Sequence, residues 1–321
     1  MSHVFVTGAA GFIGSHLVDR LLEAGLFVTG ADNFCRGKKA NLALAFDNPH
    51  FSFVEADLSD EQQCRQAISS AHQRQPVEVV WHMAANSDIS AGVTNPRVDL
   101  RDTFLTTFQV LLAMRDAGIP SIAFASSSAV YGAYPGIITE DTGPLQPVSN
   151  YGAMKLASEG IISAAVESFL ERAWIYRFPN VIGDRATHGV IFDLLHKLRQ
   201  NNSELEVLGD GSQQKPYLHV SDVVEAMMYI QKHAGEARNC FNISADDDGV
   251  TVSLIAETVI EVAAPEARIR YTGGNKGWVG DVPYYKYSID KLNRLGWKPH
   301  FSAREAVRRS VEEIYAEVGS G

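Results

Sequence analysis

The residues best suited to chemistry in this 321-residue chain are Tyr151 and Lys155, in the segment Tyr151-Gly152-Ala153-Met154-Lys155. On a helix that spacing puts a phenol and an ammonium on one face. A phenol with a pKa of about 10 keeps its proton at neutral pH, and a neighbouring cation stabilises the phenolate and lowers that value. The pair is therefore expected to accept a proton. The same spacing recurs at Tyr287-Ser288-Ile289-Asp290-Lys291, but that pair lies late in the chain, far from the other candidate groups, and is read as structural. Upstream of Tyr151, Ala123-Phe124-Ala125 runs into Ser126-Ser127-Ser128. This places hydroxyls at the C-terminal edge of a strand, where open α/β sheets bind ligands. Alone, the serine run also reads as a polar strand end.

A second group of residues suits a dinucleotide. Thr7-Gly8-Ala9-Ala10-Gly11-Phe12-Ile13-Gly14 lies between a strand pattern and a helix pattern. Glycines there let backbone N–H groups approach a pyrophosphate at the helix N-terminus, where the dipole favours negative charge. Asp32 ends the next strand, Val28-Thr29-Gly30-Ala31-Asp32, 18 residues after Gly14. A carboxylate there accepts hydrogen bonds from the adenosine ribose and repels a 2′-phosphate, which selects NAD over NADP. Arg36, Lys38 and Lys39 follow and oppose that exclusion. Asp57-Leu58, after the third strand, is expected beside the adenine. His16, one turn into the helix, is read as a satisfied histidine rather than a ligand.

These groups need a scaffold, and the apolar pattern supplies one. His3 to Val6, Phe27 to Ala31, Phe51 to Glu55, Val77 to His82, Ser121 to Ala125 and Ala173 to Phe178 are short, largely apolar runs, as expected of strands buried on both faces of a parallel sheet. Helical stretches alternate with them. The clearest is Asp99 to Ala117, with Phe104, Phe108, Leu111, Leu112 and Arg115 at helical spacing. Strand and helix in alternation predict a doubly wound α/β layer. Beyond Asn180, helices are expected over Val190 to Arg199, Ser221 to His233, Val252 to Val262 and Ala303 to Glu317, with a strand over Asn239 to Ser244. The division expected is a nucleotide-binding domain over 1–180, rejoined by 214–245, and a smaller substrate lobe over 181–321.

Composition excludes other classes. With 45% hydrophobic and 21% charged residues the chain is an ordinary globular protein. No stretch of about 18 apolar residues suggests a membrane span. The opening MSHVFVTG lacks the pattern of a secretory signal, so a cytoplasmic location is expected. Cys35, Cys64 and Cys240 form no CxxC pair, so neither a disulfide framework nor a metal site is expected. A net charge of -10 is a poor match for nucleic acid.

Taken together, TGAAGFIGSHL, the Asp32-Asn33 pair, Asp57-Leu58, HMAA at 82–85, SSSAVYG at 126–132, YGAMK, RFPNVIGDR at 177–185 and LGDGSQQKPYLHVSDVVEA at 208–226 resemble the extended short-chain dehydrogenase/reductase family. The likeness is to its nucleotide-sugar epimerases and dehydratases in particular. It implies a Rossmann domain with a C-terminal substrate lobe, and bound NAD. The cofactor would be held by Gly8, Gly11, Phe12, Ile13 and Gly14, by Asp32 and Asn33, by Asp57 and Leu58, and by Ala84, Ala85 and Lys155. It also implies a catalytic triad of Ser127, Tyr151 and Lys155. Asn86, Ser128, Asn180 and Lys215 would meet the nucleotide sugar alongside Ser127 and Tyr151.

The chain departs from the family pattern at three places. Thr103 stands where an asparagine is usual. Lys215-Pro216-Tyr217 replaces a segment whose arginine holds the diphosphate, and lysine cannot make the two-pronged contact of a guanidinium. Trp278-Val279-Gly280-Asp281 replaces Arg-Pro-Gly-Asp. The activity implied is inversion at C4 of a UDP-linked hexose or hexuronic acid. A 4,6-dehydratase, a sugar-acid decarboxylase and a catalytically silent nucleotide sensor are the alternatives. Dehydratases of the family place an Asp-Glu pair directly after the catalytic hydroxyl residue, where this chain has Ser128 and Ala129. The resemblance further implies a homodimer built on the helices near 99–117 and 151–170.

Overall fold

The computed structural model describes residues 2–274 and 282–319. Trp278, Val279, Gly280 and Asp281 lie outside them. By its contacts the chain divides into two compact units. One comprises Met1–Val130, Leu145–Arg177 and Met227–Phe241; the other comprises Tyr131–Pro144, Phe178–Ala226 and Asn242–Gly321.

The first unit is the doubly wound α/β layer expected. Its elements are strand β1 (His3–Thr7), helix α1 (Phe12–Glu23), β2 (Phe27–Asp32), β3 (Phe51–Glu55), α2 (Glu61–Arg74), β4 (Val77–His82), α3 (Thr106–Ala117), β5 (Ser121–Ser127), α4 (Asn150–Val166), β6 (Arg172–Phe178), the second half of α5 (Val220–His233), from Met227 on, and β7 (Arg238–Asn242). The strands form one seven-stranded sheet in the order β7-β6-β5-β4-β1-β2-β3. Strand β1 lies between β2 and β4, parallel to both, and Thr7 at its end pairs with Ala31 on one side and His82 on the other. The strand order reverses here, and such a reversal opens a crevice beyond the C-terminal strand ends. It gathers the glycine turn, Asp32 and the HMAA segment in one place.

The sheet is filled by the apolar runs that identified it. Phe5, Val80, Ile122, Phe124 and Ala173 are fully buried, and Trp81 stacks on Tyr176 with ring centroids 6.3 Å apart. Tyr176 is anchored by its hydroxyl, which donates to the Met227 carbonyl at 3.2 Å, and Trp174 Nε1 donates to the Ala234 carbonyl at 2.9 Å. Buried aromatic polar atoms thus find backbone partners, as burial requires.

The helix expected over Asp99 to Ala117 is broken differently from its pattern. A turn over Pro96–Asp99 passes into a wider π-helical stretch, Leu100–Leu105, before α3 begins. Its buried face is Thr103, Thr106, Thr107, Val110, Leu111, Ala113 and Met114, while Phe108 remains 40% exposed. Threonines occupy that face because their hydroxyls are satisfied locally. Thr106 Oγ1 donates to the Arg101 carbonyl at 3.1 Å and Thr107 Oγ1 to the Thr103 carbonyl at 2.8 Å. A hydropathy pattern does not register a polar residue buried in this way.

In the second unit, Asn180–Ile182 pairs in parallel with Tyr217–His219, and Glu204–Val207 with Arg268–Tyr271. Helices Val190–Gln200, Val252–Ala263 and Ala303–Gly319 pack together, and Leu194, Leu198, Ile255, Val259, Val307 and Val311 on them are buried. Among the described residues no helix is long and apolar enough to cross a membrane.

One buried ion pair ties α4 to β6 in the first unit. Arg177 donates to Glu159 through Nε at 2.9 Å and through Nη2 at 2.5 Å, and Ser126 Oγ donates to the same carboxylate at 2.5 Å. Removing one member strands a buried charge, which typically costs about 3–5 kcal/mol. Arg177→Met should therefore lower unfolding stability in urea by about that amount.

Candidate active site

The cofactor half begins at the turn between β1 and α1. A Cβ on Gly14 would overlap the Gly8 carbonyl oxygen, so only glycine lets the helix close on the turn. The residue before the helix is Gly11, which offers no side chain to cap it. The first-turn N–H groups, Phe12 and Ile13 among them, are therefore presented to an anion rather than to a side chain. At the end of β2, Asp32 is 8% exposed; its Oδ2 accepts from Ala10 N at 3.0 Å and its Oδ1 from Phe34 N at 2.8 Å. Burial raises its pKa, and the backbone N–H groups of Phe34 and Ala10 oppose that rise. Asn33 accepts from Cys35 N at 3.0 Å. This cradle fits a dinucleotide: a turn without Cβ at its tightest point, an uncapped helix start and a fixed carboxylate at the neighbouring strand end. Leu58 belongs instead to the apolar core, and Asp57 turns its carboxylate to Ser59.

The HMAA segment closes the other side of β1. Thr7 Oγ1 accepts from Met83 N at 3.1 Å and Ala84 N at 3.0 Å, and it lies 2.7 Å from His82 Nδ1. His82 Nε2 is 3.0 Å from Thr107 Oγ1, which also accepts from Ser158 Oγ at 3.2 Å. Since Thr107 donates to Thr103, its oxygen must accept from the ring, which assigns the proton to Nε2. Burial, helped by the charge of Lys155, lowers the His82 pKa to about 3, so the ring is neutral.

Asn86, expected at the substrate, is spent within the fold. Its amide donates to the Asp88 carbonyl at 2.8 Å and to Asp99 Oδ1 at 2.7 Å, while its oxygen accepts from Asp88 N at 3.1 Å. The usual asparagine replaced by Thr103 also has a definite substitute contact, since Thr103 Oγ1 accepts from Asn86 N at 3.2 Å.

The chemistry gathers where β5 ends. Ser149 caps α4 by accepting from Gly152 N at 3.1 Å, which starts the helix just before Tyr151. A Cβ on Gly152 would overlap the Ala129 carbonyl, so glycine allows α4 to approach the Ser128–Val130 turn. Tyr151 is thereby hydrogen-bonded to the Ser127 side chain, whose Oγ also accepts from Ala129 N at 3.2 Å. Lys155 Nζ donates to the Ala125 carbonyl at 2.6 Å and lies 4.7 Å from the Phe124 ring centroid and 5.8 Å from that of Tyr151.

The triad is assembled, but its protonation differs from the sequence expectation. Burial pushes the Tyr151 phenol up to about 12; the Ser127 bond pulls it down and the Asp99 charge pushes it up. Burial brings Lys155 itself down to about 7 against the opposing charge of Glu159. Glu159, one turn beyond Lys155, was the residue missed from sequence; the i, i+4 spacing was its only signal.

The second Tyr-x-x-x-Lys has no such setting. Tyr287 lies in the short strand Lys286–Tyr287 and Lys291 in the helix Asp290–Leu295, so their spacing does not put them on one helical face. His16 packs edge-on against Phe12 with centroids 5.9 Å apart. In the second unit, Asn180 Nδ2 reaches the Pro216 carbonyl at 3.4 Å and the Tyr285 hydroxyl at 3.3 Å. Lys215 pairs with Val250 in a short antiparallel ladder.

The doubly wound sheet, glycine turn and Ser-Tyr-Lys triad define a nucleotide-dependent enzyme of the short-chain dehydrogenase/reductase type. Residues 4–244 match the model of the NAD dependent epimerase/dehydratase family, and the chain belongs to that family. A putative UDP-glucose 4-epimerase of Methanocaldococcus jannaschii is 32% identical over 96% of this chain and 97% of its own length. The dTDP-D-glucose 4,6-dehydratase of Mus musculus is 25% identical over 96% of this chain and 87% of its own. The crystal structure of a UDP-galactose 4-epimerase superposes with a TM-score of 0.86 at 36% identity, covering 98% of this chain and 99% of the other.

Because Gly14 admits no Cβ, Gly14→Ala should reduce NAD binding in calorimetry by at least about tenfold, a loss of about 1.4 kcal/mol. Unchanged affinity would remove the turn from the cofactor site.

Proposed function

We propose that the protein is a nucleotide-sugar 4-epimerase acting on a UDP-hexose or UDP-hexuronic acid through a transient 4-keto sugar. The observation that carries this reading is the composition of the site at the end of β5. Ser127, Tyr151 and Lys155 are assembled there, while the next two residues, Ser128 and Ala129, offer no carboxylic acid. Oxidation and re-reduction at one carbon needs only a proton acceptor, a hydrogen-bond donor and a cation. Elimination of water also needs a group to take the C5 proton and another to protonate the departing hydroxyl. Decarboxylases resembling this chain keep a glutamate where Ala129 stands.

Tyr151 takes the proton of the 4-hydroxyl as that carbon is oxidised, and returns it when the opposite face is reduced. Ser127, hydrogen-bonded to Tyr151, pulls the phenol pKa down. NAD, when bound, supplies the hydride acceptor and donor and brings a positive charge to the pocket. Lys155 holds its place through the Ala125 carbonyl, and its charged form favours the phenolate. Gly8, Gly11, Phe12, Ile13 and Gly14 would receive the pyrophosphate and Asp32 and Asn33 the adenosine ribose, with Ala84 and Ala85 lining the crevice. Asn180 and Lys215, in the second unit, are the candidates for binding the sugar nucleotide.

The protein is further proposed to be a cytoplasmic homodimer. Leu100 and Phe108, 52% and 40% exposed on the helix after Pro96, are apolar groups that a second copy would cover.

Incubation with UDP-hexoses and UDP-hexuronic acids, followed by NMR and mass spectrometry, should give a product of unchanged mass with inverted C4. Loss of 18 or 44 mass units, one water or one carbon dioxide, would refute the reading. Tyr151→Phe should fold, retain NAD and lose at least about 100-fold in kcat, as expected for an acid–base group. Tyr287→Phe should change turnover little.

A further inference from the structure

Three cations follow Asp32, and an arginine close to this carboxylate is the usual means of accommodating the extra phosphate of NADP. The structure shows how each is held. Lys39 Nζ lies 5.7 Å from the Phe46 ring centroid. Lys38 is exposed, and its backbone N–H donates to the Ala10 carbonyl at 3.1 Å, holding the segment after Asp32 against the glycine turn. Asn41 Nδ2 reinforces this by donating to the same carbonyl at 2.9 Å. Arg36 lies within this strapped segment, and its Nη2 reaches Asp88 Oδ2 at 2.7 Å.

Asp88 is a rigid partner. Its Oδ1 accepts from Ser90 Oγ at 2.6 Å and Ala91 N at 3.1 Å, which caps the helix Ile89–Thr94. Its backbone is held on both sides by Asn86. Burial acts to raise the Asp88 pKa, but the bonds from Ser90, Ala91 and Arg36 prevail and bring it down to about 2. Asp88 is therefore ionised at neutral pH.

Resting on the reading of this crevice as the NAD site, we propose that Asp88 is a cofactor-specificity residue: by holding Arg36 it denies the 2′-phosphate of NADP a cationic partner. Asp32 repels that phosphate directly, and Asp88 removes the group that would compensate. Discrimination between the two dinucleotides thus depends on two carboxylates carried on different loops, one acting on the phosphate and the other on the arginine.

The test is the dinucleotide taken up by purified protein equilibrated with an equimolar mixture of NAD and NADP, measured by mass spectrometry after denaturation. Asp88→Asn removes the charge and keeps the helix cap, since asparagine caps as well as aspartate. It should raise the bound NADP to NAD ratio at least about tenfold over wild type, as one released charge-assisted contact allows. Arg36→Ala added to Asp88→Asn should return the ratio to near the wild-type value. An unchanged ratio in Asp88→Asn, with NAD still bound, would overturn the proposal alone. So would a gain that survives loss of Arg36. Wild-type protein that binds neither dinucleotide would overturn the cofactor reading and this proposal with it.

Discussion

An ammonium group is buried at the C-terminal edge of the sheet, and the surroundings of the triad are arranged to tolerate it. Lys155 has one close backbone partner, the Ala125 carbonyl, and the faces of Phe124 and Tyr151 beside it. A buried cation is costly without compensation. Glu159 supplies it from one turn along α4, and Arg177 and Ser126 fix Glu159 in turn. On the other side His82 is kept neutral, so the pocket holds no second positive charge from an imidazole. The hydrogen bonds of His82 with Thr7 and Thr107, and of Thr107 with Ser158, tie the cofactor turn to the helix that carries Tyr151.

Burial leaves Tyr151 holding its proton in this arrangement. Positioning is correspondingly tight. Gly152 permits the approach of α4 to the Ser128–Val130 turn, and the Ser149 cap fixes where the helix begins.

The scaffold was readable because its signals are local. Continuous apolar runs marked the strands, and the glycine turn and Asp32 fell at the ends of two of them, where the strand order reverses. The triad was readable from side-chain type and spacing. What escaped were contacts made across long separations or by polar groups satisfied inside the fold. Arg36 and Asp88 are 52 residues apart, and no sequence pattern pairs them. Asn86 had the chemistry of a substrate ligand, yet its amide is consumed by Asp88 and Asp99. The threonine face of α3 was hidden because hydropathy counts a hydroxyl as polar whether or not it is satisfied. The rise of the phenol pKa is not legible either, because it comes from burial, which side-chain type and spacing do not record.

In the proposed reaction one carbon, C4, both loses and regains its hydrogen. A UDP-hexose carrying deuterium at C4 tests this directly, with the label located in the product by NMR. The label is expected to stay at C4 of both epimers, without loss to solvent. Deuterium found at C6, or replaced by hydrogen from water, would contradict it.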